Sequence, residues 1–252
     1  MDFFESGGVP IAYQMMGEGA PIVLVHGFAS THAVNWIETG WAAALSEAGY
    51  RVIMLDMRGH GESGKPYDPD AYAVEAMAGD VTGLMDHLSI PRAALMGYSM
   101  GARIALYLAA TVGARFSPVI AAGVGGTLFG PRVDPGPVLA GLAAADPASV
   151  RGTVARAFRR FADANHQDLR ALHACYGRAR APLSAAVLAR IEVPVLVVAG
   201  ETDTIAGDPA ALAAAIPGAV SVLVPRRDHM RTVGDKFYKQ AVLDFLETAM
   251  AG

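Results

Sequence analysis

A serine flanked by glycines is the residue in this sequence best suited to act as a nucleophile. Ser99 is the centre of Gly97-Tyr98-Ser99-Met100-Gly101, which matches the pattern G-x-S-x-G. An apolar segment precedes the pentapeptide, and a segment with helical spacing follows it. At so tight a strand-to-helix turn, side chains two residues away on either side would collide, so glycines suit those positions. The pattern predicts an exposed nucleophile, the alternative being a tight turn with an ordinary surface serine.

A serine hydroxyl is a poor nucleophile at neutral pH and requires a general base. Histidine is the best candidate because its pKa lies near the working pH. The histidines are His26, His32, His60, His87, His166, His173 and His229. The start of the helix after Ser99 also offers free backbone N–H groups to a developing oxyanion. These residues predict nucleophilic catalysis if the fold brings a histidine to the serine.

The elements that would position these residues are visible in the apolar pattern. Short apolar runs without clean alternation are typical of parallel strands covered by helices on both faces. Such runs occur at 21–25, 51–55, 93–96, 118–122, 193–199 and 220–224. Segments with helical spacing lie at 36–48, 74–88, 101–111, 208–215 and 236–250. The alternation predicts an α/β protein with a mostly parallel sheet, and residues 2–14 predict an antiparallel edge hairpin that turns at Gly7-Gly8.

The region between residues 123 and 191 breaks this alternation. It opens with a loop-like stretch rich in glycine and proline, which includes Gly130 and Pro131. Helical segments are then predicted at 138–145, 147–164, 167–179 and 182–189. We predict a core domain made of residues 1–125 and 191–252 and a helical cap insertion at 126–190. Ordinary crossover helices are the alternative, although a crossover rarely needs so many residues.

Four blocks of the sequence, taken in order, resemble the α/β-hydrolase family in its branch of small, capped, single-domain serine hydrolases. The blocks are His26-Gly27-Phe28, residues 56–63, the pentapeptide around Ser99, and residues 193–203 followed by His229. The resemblance implies the α/β-hydrolase fold, in which helices flank a mostly parallel twisted sheet. It also implies the chain order serine, acid, histidine for the catalytic residues.

The resemblance implies a catalytic triad of Ser99, Asp203 and His229. His229 follows the last predicted strand, although Asp228 stands where the family usually has glycine. Asp203 occupies the family's position for the acid, which would fix the tautomer of the imidazole. Asp208 is expected to cap the next helix because a proline follows it, and it remains an alternative acid together with Asp228.

The resemblance further implies an oxyanion hole made of the backbone N–H groups of Phe28 and Met100. His26 and Gly27 are expected to shape the loop that carries Phe28. The residues predicted to line a substrate pocket are His26, Gly27, Tyr98, Phe158, Phe161, Tyr176 and Met230. The alternative for the aromatic residues of the cap is that they pack the cap on the core.

Arginines are frequent in the predicted cap, namely Arg151, Arg156, Arg159, Arg160, Arg170, Arg178 and Arg180. We interpret them as a solvated helix face, with Arg156, Arg159 and Arg160 at offsets that can share one outward stripe. Recognition of an anionic substrate is the alternative hypothesis.

Composition and charge limit the classes of protein to which this chain can belong. The chain has 252 residues, of which 53% are hydrophobic, and its net charge of -4 gives no reason to expect a nucleic-acid partner. Cys175 is the only cysteine, which excludes an intramolecular disulfide and favours a cytoplasmic location. Residues 1–8 lack the basic start of a signal peptide, and no apolar run is long enough to predict a membrane span. No motif for a cofactor, nucleotide or metal is found, so we expect neither a cofactor nor a metal.

Together these features predict a serine hydrolase that cleaves a small or medium carboxylic ester, a small-molecule substrate, through an acyl-enzyme intermediate. The same triad would also support hydrolysis of a carbon–carbon bond, hydrolysis of a lactone, or perhydrolysis. A hydrolase-like ligand receptor or signalling module is the alternative from another class. Epoxide hydrolases and haloalkane dehalogenases use an aspartate nucleophile where this chain has Ser99, which argues against those activities.

Overall fold

One eight-stranded sheet organises the computed structural model, which describes residues 1–129, 134–178 and 183–250. The strands are β1 (Asp2–Ser6), β2 (Val9–Met16), β3 (Ala20–Val25), β4 (Tyr50–Leu55), β5 (Ala93–Tyr98), β6 (Phe116–Ala122), β7 (Val195–Gly200) and β8 (Val220–Val224). Their order in the sheet is β1-β2-β4-β3-β5-β6-β7-β8. β1 and β2 form the predicted antiparallel hairpin at one edge, and the strands from β3 to β8 are parallel. The predicted fold class is confirmed.

Helices cover both faces of the sheet. They are α1 (Trp41–Glu47), α2 (Val74–His87), α3 (Met100–Val112), α4 (Gly136–Ala143), α5 (Thr153–Ala164), α6 (Leu169–Gly177), α7 (Ala185–Leu188), α8 (Pro209–Ala213), α9 (His229–Thr232) and α10 (Lys236–Met250). Short 3-10 segments lie at Pro69–Tyr72, Gly113–Arg115, Gly126–Phe129 and Pro147–Ser149.

The side chains of each central strand enter two different apolar clusters. In β5, Leu95 belongs to the cluster shared with α2 and α3, whereas Met96 and Tyr98 belong to the cluster shared with α1 and α10. Because successive side chains of a strand point to opposite faces, a strand buried on both faces reads as a continuous apolar run. This explains why the parallel strands could be located from the sequence without an alternating pattern.

Two predicted helices are interrupted at glycines that adopt positive φ. The prediction at 36–48 is wrong in its continuity, because a π-helical turn (Ala33–Ile37) is separated from α1 by Gly40, whose φ is 77°. Gly152, with φ of 84°, likewise separates Pro147–Ser149 from α5. Such a backbone conformation is available to glycine at little cost, and it ends the helical run.

The helices between β6 and β7 rest against the core. The Sγ atom of Cys175 in α6 lies 3.9 Å from the Sδ atom of Met100, and the ring of Tyr176 is centred 5.1 Å from that of Phe28. Gln167, just before α6, accepts a hydrogen bond from the backbone N–H of Gly61. The predicted loop residues Gly130 and Pro131, Arg180, and the ends of the predicted helices at 179 and 182 lie outside the described residues.

Arg159 corrects the prediction of an outward arginine stripe. It is buried, whereas Arg156 and Arg160 are exposed. Its guanidinium donates to the carboxylate of Asp163 at 2.9 and 3.0 Å and to two backbone carbonyls at the end of α4, at 2.8 and 2.6 Å. The last carbonyls of a helix lack intrahelical donors, and the Arg159 guanidinium donates hydrogen bonds to those of α4.

Within the described ranges, no helix is both long and apolar enough to cross a bilayer.

Candidate active site

Ser99 lies at the sharp turn between β5 and α3. It is half-buried, and its φ of 53° and ψ of -105° are unusual for a residue other than glycine. A Cβ atom on Gly97 would lie 2.2 Å from the carbonyl oxygen of Gly101, and one on Gly101 would lie 2.0 Å from the carbonyl oxygen of Val25. Both glycines are therefore sterically required, as the sequence predicted, although the clash at Gly101 involves the neighbouring strand β3.

A chain of hydrogen bonds joins three of the predicted site residues. The Nε2 atom of His229 lies 3.0 Å from Ser99 Oγ, and its Nδ1 atom lies 2.8 Å from Asp203 Oδ2. The other carboxylate oxygen of Asp203 accepts from the backbone N–H groups of Ile205 and Ala206 at 3.0 and 2.9 Å. An ionised carboxylate only accepts hydrogen bonds, so Nδ1 carries the proton and Nε2 is free to accept from the serine hydroxyl.

The other two carboxylates considered for the acid have different partners. Asp208 caps α8 and accepts from the backbone N–H of Ala210 at 2.9 Å, as predicted. Asp228 caps α9 and accepts from two backbone N–H groups of that helix at 3.1 and 2.9 Å. His229 is therefore the first residue of a short helix, which gives a reason for an aspartate before it. The structure brings Asp203 to the histidine and places Asp208 and Asp228 in capping positions.

The loop after β3 is held by buried polar contacts. His26 is fully enclosed, its Nδ1–H donates to the carbonyl of Gly27 at 2.7 Å, and its Nε2 accepts from the backbone N–H of Met57 at 3.0 Å. The backbone N–H of Gly27 donates to Asn35 Oδ1 at 3.1 Å. Both ring nitrogens of His26 are thus engaged by the backbone, so the prediction that it lines the pocket is wrong and its predicted structural role is confirmed. Asn35 was not anticipated from the sequence.

Two backbone N–H groups beside the serine remain without partners. Within the described part of the chain, neither the N–H of Phe28 nor that of Met100 donates a hydrogen bond. Met100 opens α3, where the first N–H groups have no intrahelical acceptor. A Cβ atom on Gly27 would lie 3.6 Å from Ser99 Cβ, which places this loop directly beside the nucleophile. The pair has the free donors that an oxyanion hole requires.

Tyr98 does not line the pocket as predicted. Its side chain is buried in the cluster with α1 and α10, on the opposite face of β5 from Leu95. Its hydroxyl donates to the backbone carbonyl of His229 at 2.5 Å. Successive side chains of a strand point to opposite faces of the sheet. The side chain of Tyr98 therefore points away from the side on which Ser99 lies.

The remaining predicted pocket residues differ in their surroundings. The rings of Phe28, Phe158 and Tyr176 are centred 5.1–6.1 Å from one another, and we call them the ring cluster. Phe158 and Tyr176 are half-buried. Phe161 is half-buried against the main apolar cluster, and Met230 is exposed. The ring cluster includes Phe28, the residue whose loop lies beside Ser99.

A buried carboxylate, Asp56, organises the neighbouring loop. It accepts from the backbone N–H and the Nδ1 of His32 at 2.7 and 2.8 Å, and from the backbone N–H of Glu62 at 2.9 Å. Burial alone would raise the pKa of the Asp56 carboxyl, but the bonds from His32 and the nearby His26 lower it to about 2. Gly61 is required here, since a Cβ atom would lie 2.0 Å from the carboxylate. The sequence showed the glycine but gave no indication of this network.

His60, in the same loop, is a buried neutral histidine. Burial and the neighbouring His26 lower the pKa of its imidazole to about 3. Its Nδ1–H donates to the carbonyl of Arg58 at 3.0 Å, whereas its Nε2 has no partner among the described residues. Its ring is centred 5.8 Å from that of Phe28. His60 therefore packs against Phe28 and forms a hydrogen bond within its own loop.

Comparison with known proteins identifies the family of this chain. A family model for the alpha/beta hydrolase fold matches residues 20–166. The chain belongs to the α/β-hydrolase family. A hydrolase from Pseudomonas aeruginosa PA01 has a similar structure, with a TM-score of 0.80 and 26% identity over 97% of each chain. The enol-lactonase from Burkholderia xenovorans LB400 superimposes with a TM-score of 0.78 and 28% identity, over 98% of this chain and 100% of that one.

Curated α/β hydrolases are similar over shorter segments. An epoxide hydrolase from Caballeronia sordidicola is 36% identical over 97 residues, which are 38% of this chain and 29% of that enzyme. The matched segments of the curated relatives span only 16% to 33% of their lengths. These relatives support the family, and the reaction and its substrate have to be argued from the site.

Proposed function

We propose that this α/β hydrolase cleaves a small or medium carboxylic ester by nucleophilic catalysis through Ser99. The observation that carries the proposal is the chain of hydrogen bonds from Ser99 through His229 to Asp203, with distances of 3.0 and 2.8 Å. A hydroxyl joined to a base that is oriented by a carboxylate is the arrangement that activates a serine. The strained elbow and the two free N–H groups beside it supply the remaining requirements.

The reaction proceeds in two stages, acylation of Ser99 and hydrolysis of the acyl-enzyme. Ser99 Oγ attacks the ester carbonyl while His229 Nε2 takes the hydroxyl proton, and the resulting oxyanion accepts hydrogen bonds from the N–H groups of Phe28 and Met100. The intermediate collapses, His229 returns the proton to the leaving alcohol, and an acyl-Ser99 ester remains. Water then attacks this ester with His229 again acting as base, which releases the carboxylic acid and restores the serine. Asp203 stabilises the imidazolium in both steps.

The surroundings favour an uncharged acyl group. The ring cluster contains Phe28, whose backbone N–H belongs to the proposed oxyanion hole, together with Phe158 and Tyr176 from the helical segment. The guanidinium of Arg159 is occupied by Asp163 and helix carbonyls, that of Arg170 stacks on Tyr67 at 4.0 Å, and Arg178 pairs with Asp70 at 3.5 Å. Arg151, Arg156 and Arg160 are exposed. We therefore propose that the helical segment 126–190 is a cap that selects neutral, apolar acyl groups.

Lactone hydrolysis is a second candidate, favoured by a specific similarity. The enol-lactonase described above matches this chain over nearly its whole length at 28% identity. A lactone is a cyclic ester, so the same attack by Ser99 opens the ring and leaves the alcohol on the acyl product. The two candidates differ in whether the leaving alcohol departs before deacylation.

The test is hydrolysis of a series of p-nitrophenyl esters and aliphatic lactones by the wild-type chain and by Ser99→Ala. We expect multiple turnovers with the wild type, and loss of nearly all activity in Ser99→Ala, by a factor on the order of 10⁴ or more. Ser221→Ala, which removes an exposed hydroxyl on β8, is the matched control and should behave as wild type. Undiminished hydrolysis by Ser99→Ala refutes the assignment of Ser99 as the nucleophile. A single slow cleavage by the wild-type chain that leaves a lasting adduct favours the alternative that the protein is a receptor.

A cytoplasmic location remains a prediction from the single cysteine.

A further inference from the structure

The side chain next to the nucleophile connects the two halves of the catalytic apparatus. Tyr98 is the last residue of β5, which delivers Ser99, and its hydroxyl donates to the backbone carbonyl of His229 at 2.5 Å. The two residues are 131 positions apart in the chain. From this contact we propose that Tyr98 is a positioning residue that holds His229 at hydrogen-bonding distance from Ser99. The inference rests on the proposed function, in which His229 is the general base.

The position of Tyr98 is fixed by close packing. Its ring is centred 5.6 Å from the His229 ring, and only 5% of the residue is exposed. A Cβ atom on Gly123, which follows β6, would lie 3.0 Å from the tyrosine ring and 3.3 Å from Cε1 of His229. Gly123 has φ of 66°, so a glycine is favoured there on conformational grounds as well. The phenol therefore has a defined place under the histidine, and its hydroxyl has a fixed direction.

The helix that carries His229 is short. α9 has four residues, so it forms little hydrogen bonding of its own. Asp228 caps its first N–H groups, and the hydroxyl of Thr232 donates to the carbonyl of Asp228 at 2.8 Å. These contacts hold α9 together internally, whereas the bond from Tyr98 joins it to the strand before the nucleophile. Burial and the nearby Asp203 raise the pKa of the Tyr98 phenol well above its ordinary value, so the donor keeps its proton.

Tyr98→Phe removes only this hydroxyl and is the direct test. We expect kcat for a p-nitrophenyl ester to fall roughly 10-fold with KM unchanged, because misplacement of the base slows both proton transfers without altering substrate binding. In the proton NMR spectrum, the downfield signal of the proton between His229 and Asp203 should broaden through exchange with solvent.

Tyr238→Phe is the matched control. Tyr238 is fully buried in the same apolar cluster, and its hydroxyl has no partner among the described residues. It therefore undergoes the same chemical change without loss of a contact, and we expect wild-type kcat and an unchanged NMR signal. Wild-type kcat and signal in Tyr98→Phe, or an equal loss in Tyr238→Phe, would overturn the proposal.

Two further outcomes, a Tyr98→Phe variant that does not fold and a wild-type chain without esterase activity, still allow the role of Tyr98 to be tested. If Tyr98→Phe does not fold, 3-fluorotyrosine at position 98 keeps the ring and strengthens the donor. A shifted His229–Asp203 proton signal then supports the link, and an unchanged signal refutes it. If the wild-type chain hydrolyses no ester, the proposed function fails, and the NMR comparison still decides whether Tyr98 holds His229.

Discussion

Replacement of the buried His60 tests whether its burial makes the fold sensitive to acid. The pKa of His60 is about 3 in the folded chain, against 6.5 for an ordinary histidine, because burial, His26 and Lys65 disfavour the charged ring more than Asp56 favours it. Below pH 6.5, His60 is therefore protonated in the unfolded chain, whereas in the folded chain it stays neutral until about pH 3. The stabilisation is present in full above pH 6.5 and is lost progressively as the pH falls towards 3.

The magnitude at a given pH follows from how far that pH lies below the pKa of His60 in the unfolded chain. At pH 5, about 1.5 pH units below the ordinary histidine pKa of 6.5, the proton that only the unfolded chain binds lowers the unfolding free energy by about 2 kcal/mol. His60→Asn removes the titrating ring and keeps an N–H donor for the carbonyl of Arg58. The variant loses packing at every pH, so the informative quantity is the change in stability between pH 7.5 and pH 5.0. We expect that change to be smaller by about 2 kcal/mol in His60→Asn than in the wild type.

Urea unfolding followed by tryptophan fluorescence measures these free energies, since Trp36 and Trp41 are both fully buried. His173→Asn is the control, because His173 is exposed on the surface of α6 and its removal should leave the pH dependence as it is. An equal loss of stability on acidification in the wild type and in His60→Asn would show that His60 is protonated in the folded chain, and the reasoning would be refuted.

Two further substitutions test the site and the elbow. Asp203→Asn should lower kcat on the order of 10⁴-fold by favouring the wrong imidazole tautomer, whereas Asp208→Asn, which keeps a good helix cap, should retain full activity in the same ester assay. Gly101→Ala places a methyl group 2.0 Å from the carbonyl oxygen of Val25 and should destabilise the fold by more than about 3 kcal/mol in thermal unfolding. Gly79→Ala, in a helix with nothing within 4 Å of the new methyl group, should instead gain up to about 1 kcal/mol, and equal melting temperatures for the two variants would contradict the steric argument.

The parallel strands and the elbow could be predicted because their signals are local. The parallel strands are mainly apolar runs, interrupted only by Arg51, Ser117 and Ser221, and their predicted limits lie within two residues of those in the structure. Gly97 and Gly101 were predictable because the turn at Ser99 imposes its requirement within five consecutive residues. The pairing of Asp203 with His229 came from the order of residues in the family, and the proline after Asp208 supported it by marking Asp208 as a helix cap.

The errors concern contacts between segments that are distant in the chain. Arg159 was predicted to face outward because its own helix allows this, but the carbonyls at the end of α4 draw its guanidinium inward. The network around Asp56 joins two separate stretches of chain, residues 26–32 and 56–62, so no single short motif could reveal it. Tyr98 is different, because alternation along β5 already placed it on the face opposite to that of Ser99. The alternation of side chains along β5 is therefore a local signal for the direction of Tyr98.

The path of the chain between β6 and β7 has an evolutionary consequence. These strands are direct neighbours, with Ala122 paired to Val198, so the whole helical segment between them is a single excursion from the sheet. Doubling the length of such an excursion adds only about 0.6 kcal/mol of loop-closure entropy. Recombination could therefore replace the helices above Ser99 while every strand keeps its register and the hydrogen bonds of the triad are preserved. If the helical segment selects the substrate, as proposed, substrate range and catalytic chemistry can diverge independently, because separate stretches of the gene encode them.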